Sequence, residues 1–507
     1  MPVTLQKQGS LLLISGLDVS KPSEYISESA SPNTQNFFVD RAIITKRAGT
    51  TAKGSALATE IMKGIEFVRE GTIYNVRVGT IKIQHFTGGA WADIQHANLT
   101  GTTDNLISIA IPLLAGKQLL CFTNSVDVIF KWTGSGNTAA LGGTPPKGKF
   151  IQEYQTYLVV ANITGGTDVD TRVQWSDTAA PETWASGNAG SKDLVEDGGA
   201  ITGMNLFSNY LCIHKASSIY LGYLVNTSAV FRFERKATGA GTCANGSIVN
   251  VPTGEQIFLA TDGIRVFNGI NTTLLDAPIN DEIRDGLNFQ YMHKAWGVLV
   301  KELDEAWFGI PIGSQTRGET VYRYNYKTRV CYKDTRTNCN TAWRSAQSSF
   351  ITWDAAAGTW DGQSDRWDDT ALASGAQLIY LGDTAGVVTY QDILTNSDNT
   401  SAFNAFWETK DFESQDKRMC RWQELQLWAK GGTVKVEYSI DSGSTWTEVD
   451  DSPYTLNSDF PTDSSPLMVY FDVLSSKIRF RFSNAIAAET LAIKQYIVGY
   501  RNREFRR

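Results

Sequence analysis

The chain has 507 residues, of which 42% are apolar, 20% are charged and 11% are aromatic. This length exceeds the roughly 100–200 residues of a single domain, so we expect two domains, one of them large. The 46 basic and 53 acidic residues leave a net charge of -7, which argues against general binding to phosphate backbones. The 44 glycines, 19 tyrosines and 14 tryptophans favour many strands joined by tight turns over a helical bundle.

The six cysteines include no CxxC pair, which favours reduced thiols and assembly inside a cell. A disulfide between Cys331 and Cys339 across a hairpin is the less favoured alternative. The N-terminus lacks the apolar run of a secretory signal, and no stretch has the length of a membrane span. We therefore expect a soluble protein that a standard signal does not export.

Residues 1–55 are polar and rich in turn-forming residues, and they predict an extended N-terminal arm that contributes to a platform. Leu11 to Ile14 is the strongest strand pattern in the arm, while Pro22 and Pro32 prevent long helices. Phe37 and the residues that follow it then lead into the first repeat.

Residues 56–395 repeat one pattern: an apolar strand, a turn of Gly, Asp, Asn or Ser, and a second strand that ends near an aromatic residue. The copies begin at 65, 119, 157, 211, 257, 306 and 378. Their spacing is close to the roughly 40–50 residues of a four-stranded blade, so we predict an irregular β-propeller of six or seven blades. In the clearest copy, Ile257 to Gly269, Asp262-Gly263 supplies a positive-φ turn and Asn268-Gly269 begins the next one.

Trp353-Asp354, Trp360-Asp361 and Trp367-Asp368 form a separate small repeat at intervals of seven residues. We favour a loop whose indoles dock on the sheet while the carboxylates stay in water. A helical heptad and a sugar-stacking platform are the alternatives.

Residues 396–410 are predicted to be a linker, and residues 411–507 a C-terminal β-sandwich platform with a basic tail. Period-two alternation, as in Lys477 to Phe482, is typical of sheets with one buried face. The three segments together predict an all-β chain: arm, propeller and sandwich.

One short motif matches the Asp-box, S-x-D-x-G-x-T-W, at Ser439, Asp441, Gly443 and Trp446. We interpret it as a hairpin device in which Asp441 bonds the turn and Trp446 packs inward, without a catalytic role. A glycosidase needs paired carboxylates in one pocket, and no spacing singles out such a pair. The four histidines are isolated from one another, and His214 within an apolar strand is more typical of the core than of a metal site. We expect no enzymatic activity, cofactor or metal.

The opening segment resembles the start of a family of bacteriophage tail proteins. In that family a "G-hydrophobic-Asn/Asp-x-x-x-P" motif precedes an Asn followed by two hydrophobic residues and a "basic-Arg-Pro-Gly" turn. The matching residues are Gly16, Asp18, Pro22, Asn36, Phe37, Phe38, Lys46, Arg47 and Gly49. Ala48 stands where the family usually has proline. The tryptophan-aspartate repeat, the blade LATDGIRVFNG and the C-terminal VEYSIDSGSTWTEV are similar to the same family.

The resemblance implies the tail nozzle, or tail hub, of a short-tailed phage: a homo-hexameric ring below the portal and adaptor that encloses the DNA exit channel. It implies a virion protein assembled in the host cytoplasm, with docking surfaces for tail fibres or spikes, and DNA that passes without specific binding. We expect contacts with the adaptor from the arm and the tail, through Arg41, Lys46, Arg47, Arg501, Arg503, Arg506 and Arg507. A solvated tail is the simpler alternative for the last four. A carbohydrate-binding or sialidase-like glycoside-hydrolase propeller and an intracellular scaffold are the other functional alternatives.

Overall fold

The computed structural model describes residues 6–10, 15–166, 168–225, 229–346, 377–414, 417–462 and 464–502. Over these ranges the chain is almost entirely β, and its one α-helix is the seven-residue Asn280–Gly286. Three 3-10 turns lie at Asn245–Ser247, Met292–Lys294 and Lys301–Leu303. None of the helices in the described ranges has the length and apolar character that crossing a membrane requires. The predicted all-β class is confirmed.

Seven four-stranded antiparallel sheets, here blades one to seven, follow one another in chain order. The strands of blades one and two are Ile61–Arg69, Thr72–Gly79, Ile83–Thr87 and Ala90–Asp93, then Ser108–Ala110, Leu120–Thr123, Phe130–Trp132 and Ala139–Ala140. Those of blades three and four are Lys147–Tyr154, Tyr157–Thr164, Val169–Trp175 and Gly190–Asp193, then Ile201–Phe207, Tyr210–Lys215, Ser218–Leu224 and Phe231–Thr238. Those of blades five and six are Val249–Asn250, Gln256–Ala260, Gly263–Phe267 and Thr272–Leu274, then Trp296–Val300, Glu305–Ile310, Thr320–Asn325 and Cys331–Thr335. A small hairpin, Leu113–Leu114 with Lys117–Gln118, lies inside blade two.

Blade seven is built from both ends of the propeller. Its first three strands are Cys339–Ala346, Gln377–Asp383 and Val388–Asp392. Its fourth is Gly49–Ala52, which pairs antiparallel with Val388–Asp392. Residues 49–52 were predicted to belong to the arm, and the structure places them in the propeller because they complete this sheet.

Blade seven also packs against blade one, so contacts run through all seven sheets and back to the first. Trp343 and Tyr380 of blade seven share a buried cluster with Ile61 and Trp91 of blade one. The Trp343 indole donates to Asn75 Oδ1 at 3.0 Å and lies directly over Gly64. The irregular propeller is confirmed, with seven blades.

Each of the seven predicted repeats falls on one blade, because each is a hairpin of two adjacent strands. The clearest case forms the predicted turn: Ala260 pairs with Gly263, and Gly263 has φ of +130°. Asn268-Gly269 follows as the turn into the last strand of the blade, and Gly269 also has positive φ. Local turn chemistry therefore located the blades correctly.

The rest of the chain forms a sandwich of two sheets. Across the six-stranded sheet the order is Leu467–Ser475, Cys420–Gly431, Leu491–Asn502, Ile43–Lys46 and Phe37–Asp40, with Gln6–Ser10 also paired to Leu491–Asn502. Across the seven-stranded sheet it is Thr34–Gln35, Ala405–Glu408, Lys477–Asn484, Thr433–Ser439 and Thr447–Glu448, with Phe412–Glu413 on Lys477–Asn484 and Tyr454–Thr455 on Thr433–Ser439. The core between them includes Trp407, Trp422 and Phe480, all fully buried. The predicted sandwich is confirmed.

The N-terminal segment is built into both domains. Its strands between 34 and 46 enter the two sandwich sheets, and Gly16–Leu17 forms a short parallel pair with Ala30–Ser31. Ala405–Glu408, which was predicted to lie in a linker, is a strand of the sandwich. The tryptophan-aspartate repeat at 353–368 lies outside the described residues.

Candidate functional site

The arm, the propeller and the sandwich meet at one buried ion pair. Arg47, which follows the arm strand Ile43–Lys46, is fully buried. Its Nη1 and Nη2 atoms donate to Asp398 Oδ1 and Oδ2 at 2.8 and 2.5 Å. Its Nε donates to Asn36 Oδ1 at 2.8 Å, and its guanidinium lies 3.7 Å from the centroid of the Phe403 ring. We call this group the junction.

Asn36 links the same arginine to both domains. Its backbone adopts a φ of +59°, its Oδ1 also accepts from the Thr335 amide of blade six at 3.0 Å, and its Nδ2 donates to the Asn404 carbonyl at 2.7 Å. Asn is one of the few residues that adopt this left-handed conformation readily. The junction therefore depends on both the backbone conformation and the side chain of Asn36.

Opposing effects set the charges at the junction. Burial acts to raise the pKa of Asp398, but hydrogen bonds from Arg47 and the charge of Arg336 outweigh it and hold that pKa below its ordinary value. Burial, reinforced by the nearby positive charge of Arg47, lowers the pKa of Arg336 to about 10. Asp398 thus compensates two guanidinium groups and remains ionised.

A chain of buried charges continues from the junction into blade six. Arg323 Nε lies 2.9 Å from Glu305 Oε2, and Arg323 Nη1 lies 3.4 Å from Asp334 Oδ2. Glu305 Oε2 also accepts from the Trp307 indole at 2.6 Å. Burial acts to lower the pKa of Arg323, but the charges of Glu305 and Asp334 outweigh it and raise that pKa. These side chains stiffen the blade on which the arm rests.

A cleft of about 460 Å³ opens beside the junction. Two of its carboxylates already serve the fold: Asp398 binds Arg47, and Asp383 accepts from the Val387 amide at 2.7 Å. Burial raises the pKa of Asp383. Within the described ranges, no group of three or more His, Cys, Asp and Glu is arranged to hold a metal ion. Asp398 therefore ties the arm to a distant part of the chain, and Asp383 holds a turn within blade seven.

A second ionic cluster ties the arm to the sandwich. Asp411 accepts from Ser23 Oγ and from Arg479 Nε, both at 2.7 Å. Glu408 accepts from Asn33 Nδ2 at 3.0 Å and from Arg481 Nη2 at 2.7 Å. Burial acts to raise the pKa of Asp411, and its hydrogen bond from Arg479 outweighs this and lowers it.

The structure corrects the predicted adaptor contacts for Lys46 and Arg47. Lys46 is 4% exposed, and its Nζ donates to Asn484 Oδ1 at 2.8 Å and to the Ile486 and Glu489 carbonyls. Burial lowers its pKa to about 8. Since all the polar atoms of these two side chains are used inside the chain, the prediction that they meet an adaptor is wrong. Their charge was mistaken for a surface feature.

The other predicted contact residues have different positions. Arg41 is exposed, in a turn with positive φ, and its side chain is 92% accessible. Arg501 is exposed at the end of the sandwich strand Leu491–Asn502. Arg503, Arg506 and Arg507 lie outside the described residues. Arg41 and Arg501 remain predictions for a protein interface.

The Asp-box forms the hairpin turn after Thr433–Ser439, in the sandwich. Asp441 Oδ1 accepts from Ser439 Oγ at 2.6 Å and from the Thr445 amide at 2.9 Å, and Gly443 has φ of +90°. Trp446 is half-buried, and the Arg481 guanidinium lies 3.9 Å from the centroid of its ring. The motif residues bond one another and the turn backbone.

The isolated histidine and the cysteines are part of the core. His214 is fully buried, and its Nε2 lies 2.7 Å from Gln256 Oε1. Burial lowers its pKa to about 4. Cys331 and Cys339 are both buried and carry free thiols. Burial raises the pKa of each thiol, so neither is a reactive thiolate at neutral pH.

Sequence reasoning missed the acidic partners at the junction. Asp398 is 351 positions from Arg47 and lies in the segment predicted to be a linker. No local spacing signals such a pair. The one signal in the sequence is the arm motif itself, which contains Asn36 and Arg47.

No protein-family model and no curated protein matches the chain. Three similar solved structures are BamB from Moraxella catarrhalis, BBS1N in complex with ARL6DN, and the extracellular domain of the one component system BT4673 from B. thetaiotaomicron. Sequence identities are 10%, 9% and 10%, and TM-scores are 0.37, 0.39 and 0.40. The alignments cover 70%, 68% and 87% of this chain, and 93%, 97% and 63% of the other chains. The propeller assignment rests on the strand order and blade contacts described above.

Proposed function

We propose that this chain is a structural subunit of a virion: the tail nozzle, or hub, of a short-tailed bacteriophage. In this proposal six copies form a ring below the portal and adaptor, and the ring encloses the DNA exit channel, retains the genome and then releases it. The protein works through interfaces and catalyses no reaction.

One observation carries the proposal: the arm residues that resemble the phage tail family are the same residues that join the arm to the propeller and the sandwich. Asn36 and Arg47 form the junction, and Lys46 bonds the sandwich turn at 484–489. Gly49 approaches Ser397 so closely that a Cβ atom would lie 2.1 Å from the Ser397 carbonyl oxygen. The motif is therefore a device that fixes an N-terminal arm between a propeller and a sandwich. Because the motif has this architectural role, its resemblance to the phage tail family supports a similar arrangement of arm, propeller and sandwich.

The mechanical role is supported by how firmly the parts are joined. The arm supplies strands to blade seven and to both sandwich sheets, and two ionic clusters hold it in between. A ring closes only when each subunit presents its two contact surfaces at a fixed angle. A subunit whose domains are tied through a common arm meets this requirement.

An unpaired sheet edge supports assembly. Among the described residues, Leu467–Ser475 pairs on one side only, with Cys420–Gly431. Asp472 is its one charged residue, while Tyr470 and Leu474 are 65% and 46% exposed. Its register with Cys420–Gly431 shifts once, between Trp422 and Glu424, but the strand contains neither lysine nor proline, the residues that commonly protect such edges. We propose that this edge contacts another subunit, a fibre or a spike in the tail.

Negative-stain electron microscopy of the purified full-length chain, alone and with the adaptor, tests the proposal. We expect sixfold rings with a central opening. Particles that stay monomeric with the adaptor at every concentration would contradict it. Cleavage of a labelled glycan that one Asp or Glu substitution abolishes would support the glycosidase alternative instead.

The net charge of -7 leads to a further part of the proposal. A negative lumen lets the genome slide without adhesion, because DNA carries about one charge per 1.7 Å of helix. A ring reconstruction with a predominantly basic lumen would contradict this part alone.

A further inference from the structure

A small cavity lies where the first strands of the blades converge. All seven blades contribute to its lining, through residues in or next to the first strand of each. Its volume is about 220 Å³. This is smaller than the roughly 300–1,000 Å³ of sites for drug-sized ligands, so it suits a compact ligand.

The lining of this axial cavity has an unusual charge for an acidic protein. It includes three lysines, Lys63, Lys149 and Lys294, and none of its described lining residues is Asp or Glu. The charge of Lys294 is compensated by Asp104, which does not line the cavity: Lys294 Nζ lies 2.5 Å from Asp104 Oδ1. Two lysines therefore give the cavity its positive charge.

The side chains of Lys63 and Lys149 form no ion pair and no hydrogen bond with the residues that the structure describes. Lys63 is partly buried in the first strand of blade one, and burial lowers its pKa. An uncompensated cation in such a position costs stability, and a bound anion removes that cost.

Neutral polar groups surround the lysines. Gln152, Asn205, Asn245 and Asn340 line the same cavity. Asn245 and Asn205 are oriented by the bonds that their Oδ1 atoms accept from the Met204 and Leu206 amides, at 2.9 and 2.8 Å. Asn340 Nδ2 already donates to the Ile61 carbonyl at 2.9 Å and to Met62 Sδ at 3.8 Å, so its amide nitrogen serves the fold. Lysine ammonium groups and amide nitrogens are donors for oxyanions.

We propose that the axial cavity binds a compact, doubly charged oxyanion of the phosphate class. Lys63 and Lys149 supply the charge, and the amide nitrogens of Asn205 and Asn245 contribute directed hydrogen bonds. The site belongs to a single propeller and is independent of ring formation, so it stands or falls separately from the proposed function.

Isothermal titration calorimetry with inorganic phosphate, in chloride buffer of constant ionic strength, tests the site. We expect saturable 1:1 binding to the wild-type chain, and binding weaker by roughly tenfold or more for Lys63→Met and for Lys149→Met. Lys82→Met is the matched control, because Lys82 pairs with Asp93 at 2.6 Å and does not line the cavity. Its affinity for phosphate stays at the wild-type value.

Thermal unfolding gives a second readout with a defined sign. Phosphate raises the Tm of the wild-type chain, because a ligand that binds the folded state stabilises it. Without phosphate, Lys63→Met melts at or above the wild-type temperature, and phosphate raises its Tm less than that of the wild-type chain. If Lys63→Met does not fold, Lys149→Met carries the same test, since Lys149 is exposed. The proposal is overturned if the wild-type chain shows no saturable binding, or if Lys82→Met loses as much affinity as the cavity variants.

Discussion

Arg47 and Asp398, 351 positions apart in the sequence, form a two-point ion pair with distances of 2.8 and 2.5 Å. The arginine is fully buried, while the aspartate is 27% exposed. Asp398 also lies 3.4 Å from Arg336. One carboxylate therefore compensates two buried guanidinium groups where the arm meets both domains.

Replacing that carboxylate by its neutral isostere should destabilise the whole chain. Asp398→Asn leaves Arg47 and Arg336 without their shared counter-charge, and a buried ion pair broken on one side costs about 3–5 kcal/mol. The free energy of unfolding, measured with guanidinium chloride, should fall by that amount. Asp40→Asn is the matched control, because Asp40 and Arg41 form an exposed pair at 4.0 Å. It should change stability by less than about 0.5 kcal/mol.

Equal losses in the two variants would show that the junction is no stronger than a surface ion pair. Unchanged stability in Asp398→Asn would contradict the role given to the junction. The resemblance motif would then need another explanation.

The sequence predicts the local hairpins of this fold, but it does not predict the long-range contacts that join its parts. Asp262-Gly263 marks its hairpin because turn geometry depends on neighbouring residues, and such local signals gave one hairpin in each blade. Gly49–Ala52 has no apolar alternation, and its pairing partner lies more than 300 residues away. Asp398 likewise has no local feature that points to Arg47. Strand exchange and long-range ion pairs depend on tertiary packing, which local patterns do not encode.

Blades one and seven pack so closely at Gly64 that we expect any larger side chain there to destabilise the propeller. A Cβ atom at this position would lie 2.1 Å from the Trp343 ring, so Gly64→Ala forces blades one and seven apart. Overpacking of this kind costs about 1–3 kcal/mol. Gly198→Ala is the control, because no atom lies within 4 Å of its added Cβ. Thermal unfolding should show a lower Tm for Gly64→Ala alone, and equal Tm values would contradict the close packing of the two blades.

His214 predicts a loss of stability in mild acid. Its pKa is about 4 in the folded chain, against an ordinary value of 6.5. Below pH 6.5 the unfolded chain binds a proton that the folded chain excludes until the pH approaches 4. Stability therefore falls as the pH drops through this window, by about 2 kcal/mol between pH 7 and pH 5 from this residue alone.

The variant His214→Gln isolates this contribution, because glutamine does not titrate. Its free energy of unfolding should depend less steeply on pH than that of the wild-type chain between pH 7 and pH 5. Carboxylates contribute equally to both curves, so their difference reports His214. Parallel curves would show that the histidine titrates normally in the folded state.

The unpaired edge Leu467–Ser475 gives the prediction that bears most directly on assembly. Along this strand Val469 points into the sandwich and is fully buried, while Tyr470 and Leu474 are exposed on the opposite face. Lysine on an edge strand opposes pairing with another chain, because the partner must desolvate its charge. The double variant Tyr470→Lys, Leu474→Lys should therefore keep the wild-type circular dichroism spectrum and Tm, since neither side chain contributes to the core.

The fraction of particles in rings, counted by negative-stain microscopy, should fall several-fold in this double variant. Ile270→Lys is the control, because Ile270 is 75% exposed in a turn of blade five, away from the sandwich edge. It removes a comparable apolar side chain and should leave the ring fraction unchanged. A double variant that forms rings as often as the wild-type chain would exclude the edge from the ring interface. Since the edge would still be unpaired, a fibre or spike would then be the partner to test there.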